Sequence, residues 1–210
     1  MSDTQPIAYG FDQETPEQLG TTPIPGGINE NVKLVDIAYE PAKEGSENMC
    51  LSFYFQDKEG RQLRHAEFPV DPEETKKRAI QQGNDPVDAV RKRVRAQGVR
   101  LKHIATKIVS EERAVIKNVQ TFQQYAQAVI QLLKPELPAG PFRIKVIMNH
   151  KDYSSLPPYP PFIERQTDEA TKLKIDKRER TQPATAANPA GLDMPAGGPG
   201  DDFGDEEAPF

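Results

Sequence analysis

Residues 89–110 carry Arg91, Lys92, Arg93, Arg95, Arg100, Lys102, His103 and Lys107 and not one acid. An exposed helix usually offsets such charges with carboxylates three or four residues away. A run that forgoes those pairs suits a polyanion, because every phosphate neutralised by a cation releases condensed counterions. A plain solvated helix face is the competing reading. Aromatic side chains supply the complementary chemistry, since a base freed from a duplex gains roughly 1–3 kcal/mol by stacking on a flat ring. Tyr39, Tyr54, Phe68, Tyr153 and Tyr159 are the candidates. Tyr54 alternates away from Leu51, Phe53 and Phe55 and has Arg61 and Arg64 on the neighbouring strand, while Tyr153 and Tyr159 share a loop with Lys151, downstream of Lys145. The expected contacts are therefore phosphates on Arg61, Arg64, Arg91, Arg95, Lys145 and Lys151, and bases on Tyr54, Tyr153 and Tyr159. Core packing is the alternative for each tyrosine.

Enzyme signatures are missing from the chain. It has no glycine-rich phosphate cradle, no cysteine pair and no His/Asp/Glu cluster at metal-ligand spacing. The expectation is a non-enzymatic protein without metal or cofactor. The single Cys50 lies in an apolar run and is expected to be buried rather than nucleophilic.

The elements that must position these residues read as α+β. Residues 1–27 show scattered Pro and Gly without a period and predict a flexible arm. Val32 and Leu34 alternate with polar residues, and Val35, Ile37 and Tyr39 continue on the other parity, which predicts a first strand bulged at Leu34-Val35. Residues 49–56 alternate as a half-buried strand, the segment from Asp57 to Gly60 has turn composition, and residues 61–68 return. Asp71-Pro72 and Asp85-Pro86 each place a capping acid before a proline, and Thr121 with Gln124 forms a capping box, so three helices are predicted. In the second, Val87, Val90, Val94, Leu101, Ile104 and Ile108 recur on one face, which Gly98 could kink or divide. Strands return at Phe142, Ile144, Val146 and Met148 and again around residues 162–165, after the proline-rich loop 156–161. Three strands, a helical block and two strands is the order of a five-stranded OB barrel whose helix lies between its third and fourth strands. The expected organisation is an OB-like barrel over residues 28–170, with a helical insertion at about 71–134, a flexible linker over 171–200 and an acidic tail over 201–210. Phe53, Phe55, Phe142 and Phe162 are assigned to the core.

The net charge of −5 conceals a segregation. Setting aside the four acids of residues 1–20 and the five of residues 201–210 leaves 27 basic against 23 acidic residues between them. A basic body with acidic ends suits a body that meets a polyanion and ends that do not. Asp201, Asp202, Asp205, Glu206 and Glu207 followed by Pro209 and Phe210 offer carboxylates beside an aromatic ring, a pattern that a basic-rimmed apolar pocket on a partner could accept. A solubility role is the plainer alternative. Without an apolar run near 18 residues or a signal pattern at Met1, a soluble cytoplasmic protein is expected.

Residues 201–210 resemble the acidic tips of bacterial single-stranded-DNA-binding proteins, which finish in Pro-Phe after a run of Asp. The wider chain is similar to the single-stranded-DNA-binding proteins of tailed phages. The similarity lies in Gly27-Ile28-Asn29-Glu30-Asn31-Val32-Lys33-Leu34, in Leu51-Ser52-Phe53-Tyr54-Phe55 with Gly60-Arg61-Gln62-Leu63, and in Ile144-Lys145-Val146 through Pro161-Phe162-Ile163-Glu164. The resemblance implies an OB core that coats single strands in the cytoplasm of a phage's host during DNA replication, recombination or repair, and a tail that recruits partner enzymes. Homo-oligomers are compatible with it. The long helical block departs from the bacterial pattern. Two alternatives stay open: an assembly adaptor whose basic helix docks acidic partners, and a duplex DNA or RNA binder that inserts the helix over residues 87–108 into a groove.

Overall fold

The computed structural model describes residues 22–117, 119–149 and 153–182. Strands β1 (Gly27–Pro41), β2 (Met49–Gln56) and β3 (Gln62–Glu67) precede helices α1 (Pro72–Gln81), α2 (Pro86–Ala105) and α3 (Phe122–Leu133). Strands β4 (Ala139–Met148), β5 (Ser154–Ser155) and β6 (Ile163–Arg165) follow. The fold is α+β, and among the described residues no helix is long and apolar enough to cross a membrane.

Local signals place the elements. The β1–β2 register slips between Leu34 and Asp36, so Val35 is the bulged residue that moves the buried side from Val32 and Leu34 to Ile37. The Asp71 carboxylate accepts from the N–H groups of Glu73 and Glu74, and that of Asp85 accepts from Val87 and Asp88. Each satisfies donors that the helix itself leaves orphaned. Thr121 and Gln124 complete their reciprocal box at the start of α3. Gly98 does not divide α2, which runs unbroken for 20 residues.

The sheet is antiparallel in the order β3-β2-β1-β4-β5, with β6 also on β4, and it is open. The five-stranded closed barrel expected from the strand order is therefore corrected to an open sheet of six strands. The reason is length: β5 and β6, of two and three residues, share the far edge of β4 and offer no ladder that β3 could join. Residues 22–24 fill part of that gap. Gln62 of β3 exchanges backbone hydrogen bonds of 3.0 and 3.1 Å with Thr22 and Ile24, and the Ser154 hydroxyl donates to the Ile24 carbonyl at 2.8 Å. Residues 22–27, expected as the end of a flexible arm, thus belong to the domain.

One side of the sheet packs on helices. Leu34, Ile37, Phe53, Phe55, Phe142 and Ile144 are buried in a single cluster with Leu101 and Ile104 of α2 and Ala126, Val129 and Leu133 of α3. Each such side chain contributes about 1.5–3 kcal/mol when fully buried. Only the C-terminal part of α2 joins this cluster. Its N-terminal half pairs with α1 as a helical hairpin, so the apolar face expected to be continuous is divided: Leu101 is 1% exposed, whereas Val87 and Val94 are 58% and 53% exposed. Leu101→Ala is expected to cost about 2–5 kcal/mol in urea denaturation, and Val94→Ala less than about 0.5 kcal/mol. Equal costs would contradict this division of α2.

The outer side of β4 is also covered. Arg143 and Lys145 point away from the core yet are buried, because residues 166–182 lie across them. Residues 171–182, expected as the start of a flexible linker, are largely exposed but anchored to the domain at a few points. Leu173 is 3% exposed, the Met148 N–H donates to the Arg180 carbonyl at 2.7 Å, and a Cβ on Gly26 would meet the Thr181 carbonyl oxygen at 2.1 Å.

Candidate nucleic-acid interface

Three of the expected phosphate contacts are already neutralised. Arg61 pairs through Nε with Asp57 Oδ2 at 2.5 Å and through Nη2 with Glu59 at 2.9 Å. Asp57 is buried at the turn and also accepts from the backbone N–H groups of Glu59 and Arg61. Burial raises its pKa, but these bonds to Arg61 outweigh burial and hold it below the usual carboxylate range. Arg61 therefore locks the β2–β3 turn. Lys145 Nζ donates to both carboxylate oxygens of Glu179, at 2.7 and 2.9 Å, and to the Lys174 carbonyl at 3.0 Å. That buried pair anchors the covering segment and leaves no donor facing solvent.

Arg64 has a similar role on the β1–β2 side. Its guanidinium donates to Ser52 Oγ at 3.1 Å, to the carbonyls of Ala42 and Pro41 at 2.8 and 3.2 Å, and pairs with Glu40 at 2.8 Å. Glu40 also accepts the Tyr54 hydroxyl. Burial and this bond to Glu40 raise the Tyr54 pKa to about 12, so Tyr54 remains a neutral donor at any physiological pH. Its ring is half-buried in the wall of a depression also lined by Glu40, Lys43, Glu44, Gln62 and Arg64. Two carboxylates in that wall oppose a phosphate. Tyr54, Arg61, Arg64 and Lys145 are thus placed as structural groups rather than as an open contact surface.

The remaining described candidates are open. Arg91 and Arg95 are exposed on α2 and, with Arg93, make no ion pair or side-chain hydrogen bond among the described residues. Two neighbours do find partners, Lys92 with Asp88 and Lys102 with Glu111, both at 3.4 Å and both exposed. Those acids lie just outside the acid-free run. Tyr153 and Tyr159 are 67% and 64% exposed. The first sits in a turn fixed by two hydrogen bonds with Asn149, of 2.9 Å to its carbonyl and 3.1 Å from its N–H. The second lies in the 156–161 loop, which rests on α2: Arg100 Nη1 donates to the Pro158 carbonyl at 3.5 Å, and the Phe162 N–H donates to His103 Nε2 at 3.4 Å. Burial and the nearby Lys107 charge lower the His103 pKa to about 4, which keeps the ring neutral as that acceptor. Lys151 and the acidic residues 201–210 lie outside the described residues.

A buried ion pair holds α2 and this loop against the sheet. Glu67, at the end of β3, accepts from Arg100 Nε and Nη2 at 2.7 Å each and from Gln97 Nε2 at 3.0 Å. Gln97 also donates to the Phe68 carbonyl at 2.6 Å. Phe68, weighed from sequence but given no role, projects from this junction at 49% exposure. Among the described residues no group of three or more His, Cys, Asp or Glu gathers as it would around a metal ion. The domain thus offers exposed rings on its loops and unpaired guanidinium groups on α2. Comparisons of the chain with protein-family models, curated proteins and solved structures gave no match.

Proposed function

We propose that this protein is a non-enzymatic binder of single-stranded DNA that coats it largely without sequence preference. Replication, recombination and repair are the processes that expose such strands. The observation that carries the reading is the presence on one domain of the exposed rings of Tyr153 and Tyr159 and the uncompensated guanidinium groups of Arg91, Arg93 and Arg95, with the Tyr159 loop resting on the C-terminal half of the same helix through Arg100 and His103. Rings alone suit many ligands and cations alone suit any polyanion. Together they suit a strand whose bases are unpaired. The resemblance of the acidic stretch to the tips of single-stranded-DNA-binding proteins supports the same reading and adds recruitment of replication or recombination proteins through residues 201–210.

Salt dependence separates phosphate contact from adventitious attraction. Neutralising two phosphate contacts lowers the slope of log affinity against log salt by about 1.4 for a single strand. Arg91→Ala with Arg95→Ala is therefore expected to flatten the slope by that amount in oligothymidylate titrations. Arg61→Ala is expected to leave it unchanged, because Arg61 already belongs to Asp57 and Glu59. The opposite pattern would return the site to the strand face around Tyr54.

A further inference from the structure

Residues 118–133 carry no Asp, Glu, Lys, Arg or His, the longest such run in a chain of which 28% is charged. Helix α3 occupies most of it. Its inner side is accounted for by Ala126, Val129 and Leu133, which are buried in the core. Its outer side is Gln123, Gln124, Gln127 and Gln131, all exposed and spaced so that they share one arc of about 100°. Gln124 closes the capping box, whereas the amides of Gln123, Gln127 and Gln131 make no hydrogen bond among the described residues. Lys134, the residue that follows the helix, is paired with Asp36 at 3.7 Å. A solvated helix face ordinarily carries charged side chains. The centres of protein interfaces are depleted of them.

We infer that this glutamine face is a self-association surface, and that its occupant is α3 of a second copy of this chain, antiparallel across a two-fold axis near Gln127. A two-fold interface sets a patch on itself, so each group must suit its own counterpart. The side-chain amide does so, because it carries two N–H donors and a carbonyl acceptor. A charged face fails that requirement, since like charges would meet. Other occupants fit less well. A nucleic-acid strand finds no cation on the face, a charged peptide finds no countercharge, and an apolar segment would leave three amides without partners. Gln123 and Gln131 each lie four residues from Gln127, so the axis sets each opposite the other in the second copy. Between them the face is about 12 Å long. A contact of that extent falls below about 1,200 Å², the range of transient interfaces, so dimers should form reversibly and only at high concentration.

The contact involves none of the residues proposed to meet a strand, and it is tested without nucleic acid. Sedimentation equilibrium of the full chain, from about 5 to about 200 µM, should show a mass that rises from monomer toward dimer. Gln127→Lys sets two ammonium groups face to face across the axis and should weaken association at least about tenfold, as should Gln127→Glu with two carboxylates. Lys and Glu form helices as readily as Gln, so both variants should keep the parent's denaturation midpoint. An equimolar mixture of the two variants should restore association to at least the parent's level, because opposite charges then meet across the axis. Damage to the fold of either variant could not produce that recovery. A parent that stays monomeric at the highest concentration, a dimer indifferent to both substitutions, or a mixture that associates no better than either variant alone would overturn the inference. Failure of the parent to bind oligonucleotide would remove the proposed function and leave the sedimentation result standing.

Discussion

Arg100→Ala is expected to lower the unfolding free energy by about 3–5 kcal/mol, the cost of leaving a buried carboxylate without its charge partner. Glu67 is 3% exposed and takes two 2.7 Å bonds from Arg100. Burial alone would raise its pKa, but the hydrogen bonds from Arg100 and His65 and the charge of Arg100 outweigh burial and bring it down to about 2. A depressed carboxyl pKa contributes stability that is fully present above the unfolded value near 4.5 and is lost as pH falls through the folded value near 2. At 1.36 kcal/mol per unit, that contribution is about 3 kcal/mol. Urea denaturation of the parent should therefore weaken between pH 4.5 and 2 more steeply than that of Arg100→Ala. Other carboxylates with lowered pKa, Asp57 and Glu164 among them, titrate in both proteins, so the difference between the two curves isolates Glu67. Parallel curves would show that Arg100 does not hold this carboxylate. The pair also matters for the site, because Arg100 fixes both α2 and the Tyr159 loop.

The largest effect on binding is expected from the loop tyrosines. Each stacked base is worth roughly 1–3 kcal/mol, so Tyr153→Ala with Tyr159→Ala should weaken oligothymidylate binding by about 2–6 kcal/mol, at least thirtyfold. Stability should change little, since both rings are about two-thirds exposed. Replacement by Phe should restore most of the affinity, because stacking needs the ring and not the hydroxyl. Tyr54→Phe is expected to do the reverse: it removes the hydroxyl bonded to Glu40 and lowers stability while leaving binding intact. Fluorescence anisotropy together with denaturation midpoints on the same preparations reads both quantities. Full binding in the double alanine variant would mean that no base stacks on this loop.

What the sequence disclosed follows the range of the forces involved. Asp71, Asp85 and Thr121 act within three residues of themselves, so their caps were legible, as was the bulge at Val35 from a change of parity. The pairing of cations was legible only in part. Asp57 lies four residues from Arg61 and could have been read as its partner, but Glu40 and Glu179 lie 24 and 34 residues from Arg64 and Lys145. Residues 171–182 read as a linker because charged text with little besides Leu173 to anchor it lacks a hydrophobic period, yet buried cations on β4 hold it down. Val87 and Leu101 belong to one apolar period, and what separates them is whether the sheet and α3 reach that level of α2, which no local pattern encodes. Closure of the sheet failed for a similar reason. Strand order suggested a barrel, but the ladder lengths of β5 and β6 decide it.

Binding of a labelled oligothymidylate by the full chain at several salt concentrations, with an equal-length duplex as competitor, decides whether the protein prefers single strands. Saturable binding is expected that weakens steadily with salt, is lost in Tyr153→Ala with Tyr159→Ala, and is poorly competed by the duplex. Absence of binding at low salt, or tighter binding to the duplex than to the single strand, would contradict that preference.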